Sequence, residues 1–203
     1  MSSQIKAIIF DFGGVLIDWS PHNLYKDYFS TNEEIDAFLE EIDFYAWNGE
    51  QDRGRSFADG VAAHSAKFPH RAALIKAYAD HWINSITGLK ADVIELLYRL
   101  KEKGYPVYGL SNWSAETFLQ VRDLFSFLRD LDYVVLSGEV KMIKPEPDIY
   151  HYLLRHIPES AEESLFIDDS LPNIEMARKL GIQGHHFRSA EELEKELIAL
   201  SLL

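Results

Sequence analysis

The chain alternates short apolar runs with longer stretches in which apolar residues recur every three or four positions. A short apolar run bounded by turn-forming residues is typical of a buried strand. Such runs predict strands at residues 7–10, 106–110, 133–136, 165–167 and 184–187, of which the last is the least apolar.

The longer stretches between these runs predict helices. From residue 90 onward they cover residues 90–103, 115–124, 147–157, 172–180 and 190–200, and Gly104 has the position of a helix C-cap. Helices and strands therefore alternate through this part of the chain. That order predicts an α/β fold with a parallel sheet and helices on both of its faces.

The stretch between Trp19 and Thr87 departs from this alternation because it contains no convincing strand. Amphipathic patterns at residues 33–44, 56–68 and 71–86 predict helices there. These helices could pack on the sheet as ordinary crossover connections. The length of the stretch favours a helical insertion after the first strand, since a single crossover needs only one helix.

Composition places the chain among ordinary globular proteins. It has 203 residues, of which 47% are hydrophobic and 26% are charged, so one domain with a modest insertion is expected. There is no cysteine, which excludes disulfides, thiolate zinc sites and cysteine nucleophiles. No apolar run approaches the roughly 18 residues of a membrane span.

The net charge of −13 indicates the partners that the protein does not bind. A field of this sign repels nucleic acid and anionic membranes, and it requires local cations or a metal at any anion site. We therefore expect a soluble, cytoplasmic protein that binds neither nucleic acid nor membranes. The sequence does not indicate its oligomeric state.

Polar residues directly follow three of the predicted strands. Asp11 follows the first, Ser111 and Asn112 follow the second, and Asp168 and Asp169 follow the fourth. Ligands of parallel sheets bind beyond the carboxyl ends of the strands. A single Asp there would be explained as a helix cap or turn residue. Clustered carboxylates, however, repel one another unless a cation joins them, so the set predicts a Mg²⁺ site.

Two loops add candidate residues to this edge of the sheet. Gly13 and Gly14 follow Asp11 closely, and glycines permit close approach of a ligand, with backbone N–H groups facing an anion. Lys144 precedes the helix predicted at residue 147 and would reach the carboxylates from its loop. Lys141, three residues earlier, competes for the same role.

These motifs resemble those of the haloacid dehalogenase-like superfamily. Residues 8–16 are similar to its first motif, residues 110–112 to the second, Lys144-Pro145 to the third, and residues 166–170 with Asn173 to the fourth. The ordered set spans about 160 residues. The resemblance implies a Rossmann-like core of residues 1–18 and 88–203, with a small helical cap at residues 19–87.

The resemblance also implies a Mg²⁺-dependent phosphatase acting on a small phosphorylated metabolite. Asp11 would attack phosphorus and form an aspartyl-phosphate. Ser111 and Asn112 would hold phosphoryl oxygens, and Lys144 would pair with the phosphoryl group and with Asp11. The metal ligands would be Asp11, the carbonyl of Gly13, and Asp168 or Asp169. Further contacts with the substrate are predicted for Gly14, for Trp113, and for Arg55 in the polar cap stretch 47–55.

One position departs from the pattern of most phosphatases in this superfamily. They carry a second Asp two positions after the nucleophile, which protonates the leaving group, and here that position is Gly13. Losing a general acid typically costs roughly 10²–10⁴-fold in rate. Leaving groups of low pKa would suit such a site, for example those of sugar 1-phosphates, acyl phosphates and aryl phosphates. Otherwise a cap residue or the substrate must supply the proton.

Two alternatives remain at the level of sequence. A 2-haloacid dehalogenase would use Asp11 to attack carbon, without metal, and the pair Asp168-Asp169 argues against it. A catalytically silent protein that keeps the phosphate pocket would also tolerate Gly13. Retention of Asp11, Ser111, Lys144 and both acidic residues argues against such a silent protein.

Overall fold

The computed structural model describes residues 4–203. The strands within them are β1 (Ala7–Phe10), β2 (Ile17–Trp19), β3 (Ile86–Leu89), β4 (Val107–Ser111), β5 (Tyr133–Leu136), β6 (Ser164–Asp168) and β7 (Gln183–His186). Five of these strands form one parallel sheet in the order β5-β4-β1-β6-β7. All five predicted strands are present, and the predicted α/β fold is confirmed.

Helices surround this sheet and fill the insertion. They are α1 (Pro21–Tyr25), α2 (Asn32–Glu41), α3 (Phe44–Asp52), α4 (Phe57–Lys67), α5 (Ala72–Asp80), α6 (Ala91–Glu102), α7 (Ala115–Val121), α8 (Phe127–Asp130), α9 (Ser137–Val140), α10 (Pro147–Leu154), α11 (Leu171–Lys179) and α12 (Ala190–Ala199). Short 3₁₀ turns lie at Pro69–Arg71, Trp82–Ser85 and Ala161–Glu163. No helix among the described residues is long and apolar enough to cross a membrane.

Strand β1 lies at the centre of the sheet and is buried throughout. Its side chains alternate between the two faces, as the period of a strand requires. Ile8 and Phe10 join the hydrophobic cluster that contains residues of α6 and α12. Ala7 and Ile9 join the cluster that contains residues of α10 and α11. The central strand is therefore covered on both faces, and only its ends are open to a ligand.

Helices α1 to α5 form the cap, which we define as residues 21–85. Its interior is aromatic: the ring centroids of Tyr25 and Phe38 lie 4.9 Å apart, as do those of Phe44 and Tyr78. Helix α2 begins with a capping box formed by Thr31 and Glu34. Such aromatic packing gives the cap a core of its own.

Strands β2 and β3 pair antiparallel where the chain enters and leaves the cap. The prediction that residues 19–87 contain no strand is wrong on this point, because β3 lies at Ile86–Leu89. These strands are only three and four residues long, and tertiary pairing rather than local pattern stabilises them. The predicted domain boundaries fall within the two strands and remain a prediction.

Candidate active site

The predicted carboxylates meet at the carboxyl edge of the sheet. Asp11 follows β1 directly, and its N–H donates to Ile167 O of the neighbouring strand at 2.9 Å. Asp168 ends β6, and Asp169 follows it. Asp11, Asp168 and Asp169 each offer a carboxylate oxygen, and these oxygens all lie within 4.8 Å of one another. Parallel pairing of β1 with β6 brings these carboxylates together.

Lys144 is buried between two of these carboxylates. Its Nζ lies 2.9 Å from Asp11 Oδ1 and 2.7 Å from Asp168 Oδ2, and it donates to Leu110 O at 2.8 Å. Burial by itself lowers the pKa of the ammonium, but the two carboxylates together raise it above the usual value. Lys144 therefore stays charged. Lys141 is exposed with a left-handed backbone, so the choice between the two lysines falls on Lys144.

Asp168 and Asp169 have different surroundings. Asp168 is fully buried, and its oxygens accept hydrogen bonds from Ser170 N at 2.8 Å and from Asn173 Nδ2 at 3.0 Å, as well as from Lys144. Asp169 is exposed and lines a cavity beside Asp11. Asp168 is thus occupied in holding Lys144, whereas the carboxylate of Asp169 is open to a ligand.

The three carboxylates of the cluster outnumber its one buried ammonium, that of Lys144. Burial is the main cause that raises the pKa of Asp11, and the charges of Asp168 and Asp169 raise it further, against the opposing effect of Lys144. A protonated carboxyl is a poor nucleophile, so the site needs a further cation to keep Asp11 ionised. Clustered carboxylate oxygens are ligands that Mg²⁺ accepts. The residues therefore fit a bound Mg²⁺ ion.

The second motif divides into two roles. Ser111 is buried at the end of β4 and lines the same cavity, and among residues 4–203 no hydrogen bond occupies its hydroxyl. Asn112 lines the same cavity; one N–H of its Nδ2 donates to Lys144 O at 2.9 Å, and its Oδ1 accepts from Lys144 N at 2.8 Å. These two hydrogen bonds fix the loop that carries Lys144. A contact of Asn112 with a phosphoryl oxygen stays a prediction.

Gly14 lines the cavity, and its contact with the substrate stays a prediction, but its N–H already has a partner. Its N–H donates to Ile17 O at 2.9 Å, so this group does not face an anion. The residue has φ +77°, and a Cβ there would lie 2.1 Å from Asp169 Oδ2. Gly14 therefore gives the Asp169 carboxylate the space to lie against the first loop.

Arg55 lies apart from the cavity. Its Nε donates to Gln51 Oε1 at 2.6 Å and its Nη2 to Trp47 O at 3.0 Å, both within the cap. It is not among the residues that line the cavity. The structure therefore does not bring Arg55 to the cavity, and two of its N–H groups fix the end of α3 instead. Its contact with the substrate stays a prediction.

A cavity of about 790 Å³ lies between the carboxylate cluster and the cap. Trp113 lines it, as predicted, and its indole N–H donates to Thr117 Oγ1 at 3.0 Å. Most of the remaining wall is apolar. The side chains that form this part of the wall are Ile17, Trp19, Tyr45, Trp82, Ile143, Pro145 and Pro172.

Sequence reasoning missed three polar residues near the site. Asp52 and Asn48 of α3 line the cavity from the cap side. Lys90 donates to Gly14 O at 2.6 Å and lowers the pKa of nearby Asp169, against the larger effect of burial, which raises it. Asp52 lies inside the polar cap stretch, but nothing local separates it from its neighbours. Lys90 precedes α6 and has no distinguishing pattern at all.

Comparison with known proteins agrees with this geometry. The model of the haloacid dehalogenase-like hydrolases matches residues 5–181. A sesquiterpene phosphatase of Aspergillus oryzae is 29% identical over 92% of this chain and 91% of its own. A D-ribitol-5-phosphate phosphatase of Bacteroides thetaiotaomicron is 24% identical over 97% of this chain and 98% of its own.

A solved structure resembles the whole molecule. It is a haloacid dehalogenase family enzyme of Bacteroides thetaiotaomicron in complex with magnesium and inorganic phosphate. The two chains are 28% identical with a TM-score of 0.68, and the match covers 91% of this chain and 94% of the other. Family model, fold and ordered motifs lead to one assignment: this chain belongs to the haloacid dehalogenase-like hydrolases.

Proposed function

We propose that the protein is a Mg²⁺-dependent phosphatase that hydrolyses a small phosphorylated metabolite through an aspartyl-phosphate on Asp11. The observation that carries this proposal is the position of Lys144, buried between Asp11 and Asp168 beside the open carboxylate of Asp169. Phosphoryl transfer depends mainly on positioning and on neutralising charge. The cluster supplies a nucleophile, a fixed cation and ligands for a second cation.

The residues have distinct roles in this reaction. Asp11 Oδ1 is held by Lys144 and by the N–H of Phe12, which donates to it at 2.7 Å, so the nucleophile has one orientation. Its other oxygen attacks phosphorus. The Ser111 hydroxyl donates to a phosphoryl oxygen, and the Lys144 ammonium offsets the charge that the phosphoryl group brings.

Asp11, Asp169 and the Gly13 carbonyl are the residues that would hold Mg²⁺. A bound Mg²⁺ neutralises phosphoryl charge and keeps the Asp11 carboxylate ionised. Asp168 orients Lys144 through the contacts described above.

The apolar wall of the cavity bears on the choice of substrate. Sugar phosphates were the candidates that the sequence suggested, and one relative is named for a sugar alcohol phosphate. Another relative is named for a sesquiterpene. Trp19, Trp82 and Trp113 each present part of an indole ring to the cavity, and covering such apolar surface with an apolar group gains free energy. We therefore propose a monoester of an amphipathic alcohol as the preferred substrate, ahead of a simple sugar phosphate.

The test is phosphate release from a panel of phosphate monoesters and one acyl phosphate. The panel holds p-nitrophenyl phosphate, glucose 1- and 6-phosphate, acetyl phosphate and farnesyl monophosphate, each with Mg²⁺ or with EDTA. We expect Mg²⁺-dependent release that vanishes in Asp11→Asn, with the highest kcat/KM for farnesyl monophosphate. The Asp11→Asn protein also excludes a contaminating phosphatase.

Other outcomes would contradict the proposal. Equal release from the wild type and from Asp11→Asn would not depend on Asp11, so it would overturn the aspartyl-phosphate route. Chloride release from 2-chloropropionate without phosphate release would identify a dehalogenase. Binding of inorganic phosphate with no turnover on any substrate would identify a silent binding protein.

A further inference from the structure

The first loop has an open space where most related phosphatases carry an acid. A Cβ built on Gly13 meets no atom within 4 Å. An alkoxide is strongly basic, so an alcohol leaves phosphorus readily only when a proton reaches its oxygen. The proposed function includes alcohol monoesters, so another residue has to carry that proton.

Asp52 faces the reaction site from the last residue of α3. Its Oδ1 accepts from Ser114 N at 3.2 Å, and its Oδ2 accepts from Asn48 Nδ2 at 3.0 Å. Its main-chain carbonyl accepts from Ser137 Oγ at 2.5 Å. Ser114 lies two residues after the second motif, so these contacts hold Asp52 against the loop that follows Ser111.

The environment of Asp52 favours its protonated form. Burial is the main cause that raises its pKa to about 8, the Asp11 charge adds to it, and the hydrogen bond from Ser114 N opposes it. On α5, burial raises the pKa of the Tyr78 hydroxyl, and the charge of Asp52 raises it further. A carboxyl that keeps its proton near neutral pH can act as a general acid.

We propose that Asp52, from the cap, is the general acid and base that replaces the side chain missing at Gly13. The proposal rests on the proposed function. Asp11 attacks phosphorus, the bond from phosphorus to the leaving oxygen breaks, and the Asp52 proton passes to that oxygen. The Asp52 carboxylate then takes a proton from water as this water attacks the aspartyl-phosphate. Asp11 and inorganic phosphate are released, and Asp52 is protonated again.

A purely structural role for Asp52 has to be distinguished from this one. The same region docks the cap on the core, because Arg53 forms a two-fold ion pair with Glu146. Its Nη1 donates to Glu146 Oε2 at 2.8 Å, and its Nη2 donates to Glu146 Oε1 at 2.7 Å. Loss of docking would slow every substrate alike. In the step that releases the leaving group, loss of a proton donor slows only substrates with a basic leaving group, since p-nitrophenolate leaves without protonation. The later hydrolysis of the aspartyl-phosphate is common to all substrates.

The experiment compares Asp52→Asn with Arg53→Gln, which removes a docking contact and keeps the acid. The rate at which the leaving group is first released is measured for p-nitrophenyl phosphate and for an alkyl monophosphate, with excess enzyme. In Asp52→Asn we expect the alkyl rate to fall by roughly 10²–10⁴-fold and the first release of p-nitrophenolate to stay within about tenfold of wild type. In Arg53→Gln the ratio of the two rates is expected to stay at the wild-type value.

A rescue variant completes the test. The space at Gly13 admits a side chain, so Gly13→Asp in the Asp52→Asn background is expected to restore the alkyl rate by at least tenfold. Equal losses on both substrates in Asp52→Asn, or no loss on either, would overturn the assignment of Asp52. If the wild-type protein shows no Asp11-dependent release from any monoester, the proposed function itself fails and the role of Asp52 fails with it.

Discussion

Adjacent glycines in the first loop meet different constraints. At Gly13 the space beside the backbone is open, because the residue has no side chain and no other atom fills the space. At Gly14 the backbone is left-handed, with φ +77°, and the Asp169 carboxylate occupies the place where a Cβ would be. The same residue type therefore leaves room for chemistry at one position and is required by packing at the next.

This difference predicts unequal effects of alanine. Gly14→Ala is expected to lose about 1–3 kcal/mol of unfolding free energy, because a non-glycine residue is strained there and collides with Asp169. Gly13→Ala is the matched control and is expected to stay within about 0.5 kcal/mol of wild type. Urea unfolding of both variants without Mg²⁺ gives the comparison. Similar losses in the two variants would contradict the separate roles.

At the level of elements, Ser137 joins three parts of the fold. It is fully buried at the start of α9, directly after β5. Its Oγ donates to Asp52 O at 2.5 Å and accepts from Trp113 N at 2.8 Å. The end of cap helix α3, the loop after β4 and the end of β5 are thereby fixed to one another.

Ser137→Ala tests this junction. The change leaves the Trp113 N–H and the Asp52 carbonyl without this partner, and a buried unsatisfied group costs about 1–3 kcal/mol. We expect a loss of this size in unfolding free energy, measured by urea denaturation. Ser30→Ala, at an exposed position, is the control and is expected to change stability by less than about 0.5 kcal/mol. A Ser137→Ala protein as stable as this control would show that the junction does not hold cap and core together.

The whole molecule carries a net charge of −13, and three of its carboxylates meet at the site. Relief of their repulsion couples metal binding to folding. Mg²⁺ at 100 times its Kd is expected to add about 2.7 kcal/mol of stability, since a ligand that binds only the folded state stabilises it by mass action. Thermal unfolding with Mg²⁺ and with EDTA measures this difference.

In the same experiment, Asp168 and Asp169 are expected to differ in their effect on the stabilisation by Mg²⁺. Asp169→Asn is expected to abolish the stabilisation by Mg²⁺ at the concentration that saturates wild type. Asp168→Asn is expected to keep a Mg²⁺-dependent shift from a lower starting stability, because this carboxylate holds Lys144. Loss of the shift in Asp168→Asn alone would reverse the assignment of the metal ligand.

Local pattern determined much of this protein. The five core strands, their order with the helices, and the family motifs at their ends could all be predicted. Apolar runs and turn residues involve only a few neighbouring positions, so they can be recognised in the sequence alone. The carboxyl ends of parallel strands share an edge, which is why the sequence alone predicts that Asp11, Ser111 and Asp168 lie together.

Only the tertiary structure decided which of two lysines lies among the carboxylates, and which of two adjacent aspartates is open to a ligand. It buried Lys144 and exposed Lys141, engaged Asp168 and left Asp169 open, and brought Asp52 over the site from about 40 residues away in sequence. These outcomes depend on burial, on hydrogen-bond partners and on charges contributed by other elements. Such contacts join residues far apart in the chain, so no periodicity or spacing around any one of them could have predicted them.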